Sequence, residues 1–347
     1  MQKNLAKCAV VGASGYAGEE LVRLLLAHPL AELVQVTSRQ SVGKRLEEVF
    51  PRFTHQKKGH ELIFTDSDPE SVLGNASIVF LALPHGVTAG IAKKFLDGGA
   101  RVIDLSADFR LRDSKLYKQF YGGAHAAPEL LKQAVYGLPE VYFGQIADAT
   151  LVACPGCYPT SILLPLLPLV REKLVAADDI TIASLSGVTG AGRKIEADYQ
   201  FAECNESARP YGIPKHRHLS EIEQELTVVT RVKAPVQFVP HLVPMNRGIL
   251  STMFLRPESD VDEREVEAVY KDAYKTAPFV RLLGRERLPD TKNVAGTNFI
   301  DIGWRLDSRT GRLIVMSAID NLVKGTSGQA IQCLNLMCGY PETAGLL

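Results

Sequence analysis

Cys157 is the residue of this 347-residue sequence best placed to act as a nucleophile. It closes a Cys-Pro-Gly-Cys segment that begins at Cys154, and it precedes an apolar stretch in which Pro159 suits the first turn of a helix. A helix N-terminus stabilises a thiolate through its dipole and its N–H groups. The position therefore indicates a nucleophilic thiol. The Cys-x-x-Cys spacing leaves a redox dithiol, half of a zinc site or two structural cysteines as alternatives.

A thiol nucleophile needs a proton acceptor, and His216 and His218 are candidates. Ser220 and Glu223 match a capping box, so we predict a helix from Ser220 with both histidines just before it. A helix N-terminus disfavours the imidazolium ion and so leaves a neutral imidazole that can act as a base. Because residues i and i+2 of an extended segment point to opposite sides, we expect only one histidine to face the thiol.

Three glycines at three-residue spacing, Gly12, Gly15 and Gly18, lie between an apolar run and a helical stretch. Such glycines permit a tight turn and let backbone N–H groups approach a phosphate, although the spacing differs from G-x-G-x-x-G. Near the end of the second strand, where a carboxylate would bind a ribose 2′-hydroxyl, the chain has Ser38 and Arg39. These residues favour NADP over NAD. The structural alternatives are a glycine turn that only packs helix on strand and a solvated Arg39.

The predicted secondary structure that would position these residues changes in pattern near residue 154. Before it, β-rich runs alternate with helical stretches, which predicts a Rossmann-type, doubly wound parallel sheet over 1–153. After it, runs of alternating polarity predict an α+β domain over 154–319 with a mixed or antiparallel sheet, helices on one face and hairpin turns at 245–248 and 308–311. Helical spacing over 324–338 predicts a last helix, so that 320–347 completes the first domain. The predicted strands are 7–12, 33–38, 61–65, 77–83, 101–105, 150–153, 180–185, 236–241, 248–255, 298–306 and 313–318, and the earlier helices include 17–27 and 88–97.

Composition limits the classes of ligand. Lys and Arg together number 39 and balance 39 Asp and Glu, so the chain has no general field to attract nucleic acid or an anionic membrane. The longest apolar run is interrupted by prolines and falls short of the ~20 residues of a membrane span. We find no signal-peptide pattern, and we expect a cytoplasmic protein with reduced cysteines.

Longer motifs span nearly the whole chain: GASGYAG at 12–18, LPHG at 83–86, DLSADFR at 104–110, YGLPE at 136–140, SGVTGAGR at 186–193, PHLVPMNRG at 240–248 and DNLVKG at 320–325. Taken with the features above, these motifs resemble those of the N-acetyl-gamma-glutamyl-phosphate reductases of arginine biosynthesis. One position departs from the family, which usually has asparagine where this chain has Cys154. The role of Cys154 is therefore left open.

The resemblance implies that the Cys157 thiolate attacks the acyl phosphate of N-acetyl-L-glutamyl 5-phosphate and that NADPH reduces the thioester to the 5-semialdehyde. A histidine moves the protons, and we prefer His218 to His216. A homodimer or homotetramer is implied, with no metal. The predicted cofactor contacts are Gly12, Ser14, Gly15, Tyr16, Gly18, Ser38, Arg39, Pro84, His85, Ser186, Gly187 and Asn321.

Because the net charge is zero, a substrate with a carboxylate and a phosphate needs local positive charge. Arg110, Arg193 and Arg217 are candidates because a guanidinium group binds either anion bidentately, and a structural ion pair is the alternative for each. Three rival functions remain: a reductase of lysine biosynthesis with a carrier-linked substrate, a non-catalytic NADP-binding redox sensor, and a thiol–disulfide oxidoreductase. The balanced charge favours the free small substrate over an acidic carrier protein.

Overall fold

The computed structural model describes residues 5–56, 59, 61–193, 195–258 and 260–347. The chain divides into two compact units: Met1–Pro155 with Thr326–Leu347 is unit 1, and Gly156–Gly325 is unit 2. The domain limits at 153 and 320, and the roles of the two domains, stay predictions.

Strands and helices follow one another along the chain in both units. In chain order they are β1 (Ala6–Val11), α1 (Tyr16–Ala27), β2 (Ala31–Thr37), α2 (Leu46–Val49), β3 (Phe64–Thr65), α3 (Pro69–Leu73), β4 (Ile78–Leu81), α4 (Thr88–Asp97), β5 (Arg101–Asp104), α5 (Ser114–Tyr121), β6 (Val135–Tyr136), α6 (Pro139–Asp148), β7 (Leu151–Ala153), α7 (Cys157–Arg171), β8 (Val175–Ser186), α8 (Phe201–Cys204), β9 (Arg209–Pro210), α9 (Leu219–Thr230), β10 (Val236–Leu242), β11 (Ile249–Pro257), α10 (Glu263–Ala273), β12 (Val280–Gly284), β13 (Ile300–Asp307), β14 (Arg312–Ile319) and α11 (Gly328–Met337).

Unit 1 contains a parallel sheet with the strand order β3-β2-β1-β4-β5-β7-β6. Successive side chains of β1 point to opposite faces: Cys8 and Val10 pack in a core with residues of α1 and α11, whereas Ala9 and Val11 pack in a second core with residues of α4. A sheet buried on both faces explains why its strands are almost continuously apolar. The prediction of a doubly wound parallel sheet is confirmed.

Unit 2 contains a mixed sheet with the strand order β12-β13-β14-β11-β8-β10-β9, which confirms the mixed sheet predicted for the α+β domain. The hairpin turn at 308–311 is present, since β13 and β14 pair in antiparallel fashion. The hairpin predicted at 245–248 is wrong. β10 pairs in parallel with β8 and β11 pairs in antiparallel fashion with the other edge of β8, so the connection crosses β8 instead of joining neighbours.

Helix α7 packs against β11 and β14 although two prolines lie inside it, at positions 165 and 168. Each proline removes the N–H that would bond to the carbonyl group four residues earlier. Those two carbonyls accept hydrogen bonds from side-chain hydroxyls instead, Ser161 from Ser317 at 2.6 Å and Leu164 from Tyr274. Ser317 of β14 and Tyr274, the C-cap of α10, therefore satisfy the backbone groups that the prolines leave open in the helix that presents Cys157 at its N-terminus.

Within the described residues, no helix combines the length and the apolar character that crossing a bilayer requires.

Candidate functional site

Cys157 is the first residue of α7, and Gly156 is its N-cap. A Cβ atom at Gly156 would lie 2.4 Å from Nε2 of His218, so only glycine lets this histidine lie over the turn that presents the thiol. Gly325 lies close to Cys157, since a Cβ atom at position 325 would lie 2.8 Å from the Cys157 Cβ. The two glycines make room for a histidine and a chain segment around a half-buried thiol.

His216 and His218 lie side by side, with ring centroids 5.0 Å apart. The expectation that only one ring would face the thiol assumed an extended segment, but His218 has helical backbone angles (φ −66°, ψ −16°), so the expectation loses that basis and stays a prediction. Nδ1 of His216 accepts the His218 N–H at 3.1 Å. Burial lowers the pKa of His216 to about 4, and the positive charge of Arg217 adds to that effect. His216 is therefore neutral near pH 7, with its proton on Nε2.

The predicted capping box at Ser220 is wrong. Helix α9 begins at Leu219 with His218 as N-cap, and the Ser220 hydroxyl donates to the Arg217 carbonyl at 2.7 Å. Glu223 accepts instead from the N–H of Val236, at 3.1 Å, because it points to the start of β10. Both histidines still precede the body of the helix, as predicted.

Two tyrosines that the sequence reading passed over complete this cluster. The Tyr211 hydroxyl donates to the Tyr158 hydroxyl at 3.0 Å, and the Tyr158 ring packs edge-on against His216 at 5.6 Å. Burial raises the pKa of both tyrosines, and a charge on Cys157 raises them further, so both hydroxyls stay protonated near the thiol. Tyr158 adjoins Cys157 in sequence and could have been found from that. Tyr211 follows β9, and no local sequence pattern predicts that β9 pairs with β10.

Glu221 is a third residue that the sequence reading missed. Its carboxylate is fully buried; Oε2 accepts the Gly156 N–H at 2.9 Å and Oε1 lies 4.0 Å from Nε2 of His218. The sequence could have indicated Glu221, because residues three apart at the start of a helix lie on one face and Glu221 lies three residues after His218.

The glycine turn of unit 1 lies between β1 and α1. Gly12 has φ +88°, and a Cβ atom there would lie 2.6 Å from the Ala82 carbonyl oxygen, while one at Gly18 would lie 2.7 Å from the backbone of Ala13. Gly15, the N-cap of α1, has no heavy atom within 4 Å of a Cβ position. Two glycines thus allow close packing, and the third leaves open space before the first turn of α1, which includes Tyr16.

The end of β2 supplies hydroxyl groups and a guanidinium group beside this turn. The hydroxyl of buried Ser38 donates to the Ser14 hydroxyl at 3.0 Å, and the Gly12 N–H donates to the Thr37 hydroxyl at 3.3 Å. Arg39 follows and is exposed. These residues fit a dinucleotide with a 2′-phosphate, because they offer hydroxyls and a positive charge where an NAD site has a carboxylate.

Pro84 and His85 lie in an exposed loop after β4, and the His85 ring lies 5.6 Å from the Tyr121 ring. The buried Asp108 carboxylate accepts the N–H groups of Gly86 at 2.7 Å and Ala89 at 2.9 Å, which anchors the end of the loop.

Ser186, Gly187 and Asn321 belong to unit 2. The amide of buried Asn321 accepts the Gly248 N–H at 2.8 Å and donates to the Thr189 hydroxyl at 2.9 Å, so it links the loop before β11 to the turn after β8. A Cβ atom at Gly187 would lie 2.7 Å from the carbonyl oxygen of Asn246. Their part in cofactor binding stays a prediction.

The three candidate arginines differ in exposure. Arg110 is buried in unit 1, and its guanidinium group donates to the carbonyls of Cys154 at 2.7 Å and Leu105 at 3.0 Å. Arg193 and Arg217 are exposed in unit 2. Arg110 thus has a structural function in the backbone around Cys154, and substrate contacts of all three stay predictions.

All six cysteines are reduced, Cys154 is buried, and the described residues contain no group of three or more His, Cys, Asp or Glu side chains suited to a metal ion.

Comparison with protein families matches both units. Residues 7–149 match the semialdehyde dehydrogenase NAD binding domain, and residues 157–321 match the semialdehyde dehydrogenase dimerisation domain. The fold resembles aspartate semialdehyde dehydrogenase II of Vibrio cholerae (TM-score 0.74, 18% identity, 96% of this chain and 98% of that one). It also resembles the enzyme of Candida albicans solved with NADP (TM-score 0.73, 18% identity, the same coverage). The chain therefore has a semialdehyde dehydrogenase fold, with a dimerisation domain that indicates an oligomer.

Curated relatives are similar over nearly their full length. An N-acetyl-gamma-glutamyl-phosphate reductase of Akkermansia muciniphila is 54% identical over 97% of both chains. One of Syntrophobacter fumaroxidans is 48% identical over 99% of this chain and 98% of its own. As its motifs predict, this chain belongs to the N-acetyl-gamma-glutamyl-phosphate reductases, within the semialdehyde dehydrogenase family.

Proposed function

We propose that this chain reduces N-acetyl-L-glutamyl 5-phosphate to N-acetyl-L-glutamate 5-semialdehyde and phosphate, with NADPH as reductant, in arginine biosynthesis. The observation that carries the proposal is the thiol at the start of α7 beneath His218, in a chain 54% identical to a reductase of that name. Acyl phosphates react readily with a thiolate, and a thioester is a suitable acceptor for hydride.

In this proposal Cys157 is the nucleophile. Its sulfur bonds to the acyl carbon, the carbon–oxygen bond to phosphate breaks, and phosphate leaves with the electron pair. His218 takes the thiol proton first. After hydride has been transferred to the acyl carbon, the carbon–sulfur bond breaks with its electron pair on sulfur, which releases the aldehyde, and the Cys157 thiolate regains its proton from His218. His216 supports it, because its Nδ1 holds the His218 N–H and its low pKa keeps it neutral.

The NADPH site assigned by this proposal is the turn from Gly12 to Gly18, with Ser38 and Arg39 on the 2′-phosphate and the loop at Pro84 and His85 alongside. The open space before Gly15 supports a phosphate there, since helix N-termini bind anions. When bound, NADPH supplies the hydride that reduces the thioester. Ser186, Gly187 and Asn321 form a further cofactor-binding group in the proposal, and Arg110, Arg193 and Arg217 bind the substrate anions.

The proposal extends to assembly and location. The chain forms a homodimer or a homotetramer in which a second copy covers the open face of the unit 2 sheet. Leu185 of β8 and Phe254 of β11 are 37% and 39% exposed on that face, whereas the residues beside them in each strand are buried. The protein acts in the cytoplasm, where NADPH is available and its six thiols stay reduced.

The test is phosphate-dependent reduction of NADP⁺ with N-acetyl-L-glutamate 5-semialdehyde, the reverse of the physiological reaction. We expect a rate that requires phosphate and exceeds the rate with aspartate 4-semialdehyde at least 100-fold. Light scattering during gel filtration gives the number of subunits. No activity with the acetylated substrate would overturn the proposal and favour the carrier-linked substrate or a sensor.

A further inference from the structure

The buried carboxylate of Glu221 contacts both parts of the thiol site in unit 2. Oε2 accepts the N–H of Gly156, the residue directly before Cys157, at 2.9 Å. Oε1 lies 4.0 Å from Nε2 of His218. One fully buried side chain thus touches the turn that presents the nucleophile and the histidine that lies over it.

A buried carboxylate is costly unless nearby groups compensate its charge. Glu221 lies in the first turn of α9, where the helix dipole favours a negative charge, and the Gly156 N–H supplies a hydrogen bond. Transfer of the thiol proton to His218 creates a positive imidazolium ion beside Oε1. The charge that is costly in the resting state therefore stabilises the state in which the thiol is ionised.

Of the other titratable groups that the described residues place around His218, the two tyrosines, His216 and Arg217 carry no negative charge near pH 7. Tyr158 packs against the His218 ring at 5.9 Å, and burial raises the pKa of Tyr158 and of its partner Tyr211 so that both are neutral. His216 at 5.0 Å is neutral near pH 7, and Arg217 between the two histidines is positive. Cys157 itself is the proton donor.

We propose that Glu221 is a positioning residue that holds the turn before Cys157 through the Gly156 N–H and stabilises protonated His218 while the thiol is ionised. The proton moves from Sγ to an imidazole nitrogen, and Glu221 forms no covalent bond. The inference deepens the proposed reductase function and rests on it for the role of the thiolate.

The decisive variant is Glu221→Gln, because glutamine keeps an oxygen to accept from the Gly156 N–H and removes the charge. The matched control is Glu223→Gln, since Glu223 lies on the same helix and accepts a backbone N–H, that of Val236. The first readout needs no substrate: the rate at which iodoacetamide alkylates Cys157 at pH 6 to 9, followed by mass spectrometry of the Cys157 peptide. The second is kcat and KM for the acyl phosphate.

We expect E221Q to be alkylated about 5- to 30-fold more slowly than the native protein at pH 7, with the rise in rate moved to higher pH. We expect kcat to fall about 10- to 100-fold while KM changes less than threefold and Tm by only a few degrees. E223Q should match the native protein, and Glu221→Asp, which restores the charge at a shorter reach, should recover part of the loss.

Native rates in E221Q for both alkylation and turnover would overturn the proposal and leave Glu221 as a structural acceptor. Equal losses in E223Q would overturn it as well, since they would trace to the helix. A native protein without reductase activity but with slow alkylation in E221Q would refute the proposed function alone, because the alkylation assay does not depend on the substrate.

Discussion

The glycine turn of unit 1 occupies seven consecutive residues, 12–18, whereas the thiol cluster of unit 2 draws on segments that are distant in sequence, at 156–158, 211–221 and 325. In the first region the important property is the backbone, because Gly12 and Gly18 have no room for a Cβ atom. In the second it is the side chains, whose rings and carboxylate surround a thiol. Binding at the glycine turn should therefore be sensitive to substitutions that add a side chain. Activity at the thiol cluster should be sensitive to substitutions that change a chemical group and keep the shape.

Gly156 shares features of both regions. It lies in the thiol cluster, yet its lack of a side chain is what admits His218. The contrast between the two regions can therefore be tested within unit 2 as well as between the regions.

The largest effect is expected from Cys157→Ser, which changes one atom and almost no shape. A serine hydroxyl is a poor nucleophile without a far stronger base, so kcat for phosphate-dependent NADP⁺ reduction should fall at least about 10⁴-fold. Cys154→Ser is the matched control and should change kcat less than about tenfold, because Cys154 is buried and contributes its carbonyl to Arg110. Comparable losses in both variants would instead support the dithiol alternative.

Gly156→Ala should have the next largest effect, although it adds only a methyl group. The new Cβ would lie 2.4 Å from His218 Nε2, so the imidazole must move, and a displacement of about 1 Å in a catalytic group costs on the order of 100-fold in rate. Steady-state kinetics should show the loss in kcat. Gly144→Ala in α6 is the control, because no heavy atom lies within 4 Å of its Cβ position. An active G156A variant would show that the cluster tolerates changes of shape, contrary to the structure.

The sequence predicts the glycine turn, which is formed by neighbouring residues, better than the thiol cluster, which is formed by residues distant in sequence. The bounds of α4, Thr88–Asp97, are those predicted, and the glycine turn lies between strand and helix as predicted, because both depend on neighbouring residues. The predicted strand at 61–65 shortens to Phe64–Thr65. In the thiol cluster Cys157 and the two histidines could be selected by residue type and by the helices they precede.

The arrangement of that cluster could not be predicted in the same way. The close approach of the two imidazoles, whose ring planes lie 69° apart, depends on one backbone conformation, at His218, and Tyr211 reaches Tyr158 only because β9 pairs with β10. Glu221 was obscured because Ser220 and Glu223 matched a capping box, a local pattern that tertiary contacts override.

Arg39→Gln tests a side chain beside the glycine turn of unit 1, where the other important residues act through their backbone. Loss of a charge-assisted hydrogen bond to the 2′-phosphate should weaken NADPH binding about 10- to 50-fold while NADH binding changes less than threefold. Fluorescence titration of each cofactor measures both constants. Lys93→Gln, which removes an exposed charge paired with Asp97, should change neither. Equal weakening for both cofactors would remove Arg39 from the 2′-phosphate site.

The last prediction, at His216, concerns folding stability and not turnover or cofactor binding. Burial lowers the pKa of His216 from 6.5 to about 4, so between these pH values the unfolded chain binds more protons than the folded chain. The stability that the neutral ring contributes is complete above pH 6.5 and is lost as the pH falls towards 4. His216→Asn keeps an acceptor for the His218 N–H but does not titrate. Urea denaturation at pH 6.5 and 4.5, at one protein concentration, should show the native protein losing about 2 kcal/mol more than the variant. Equal losses would mean that the ring takes up a proton in the folded state, and the neutral supporting role given to His216 beside His218 would be wrong.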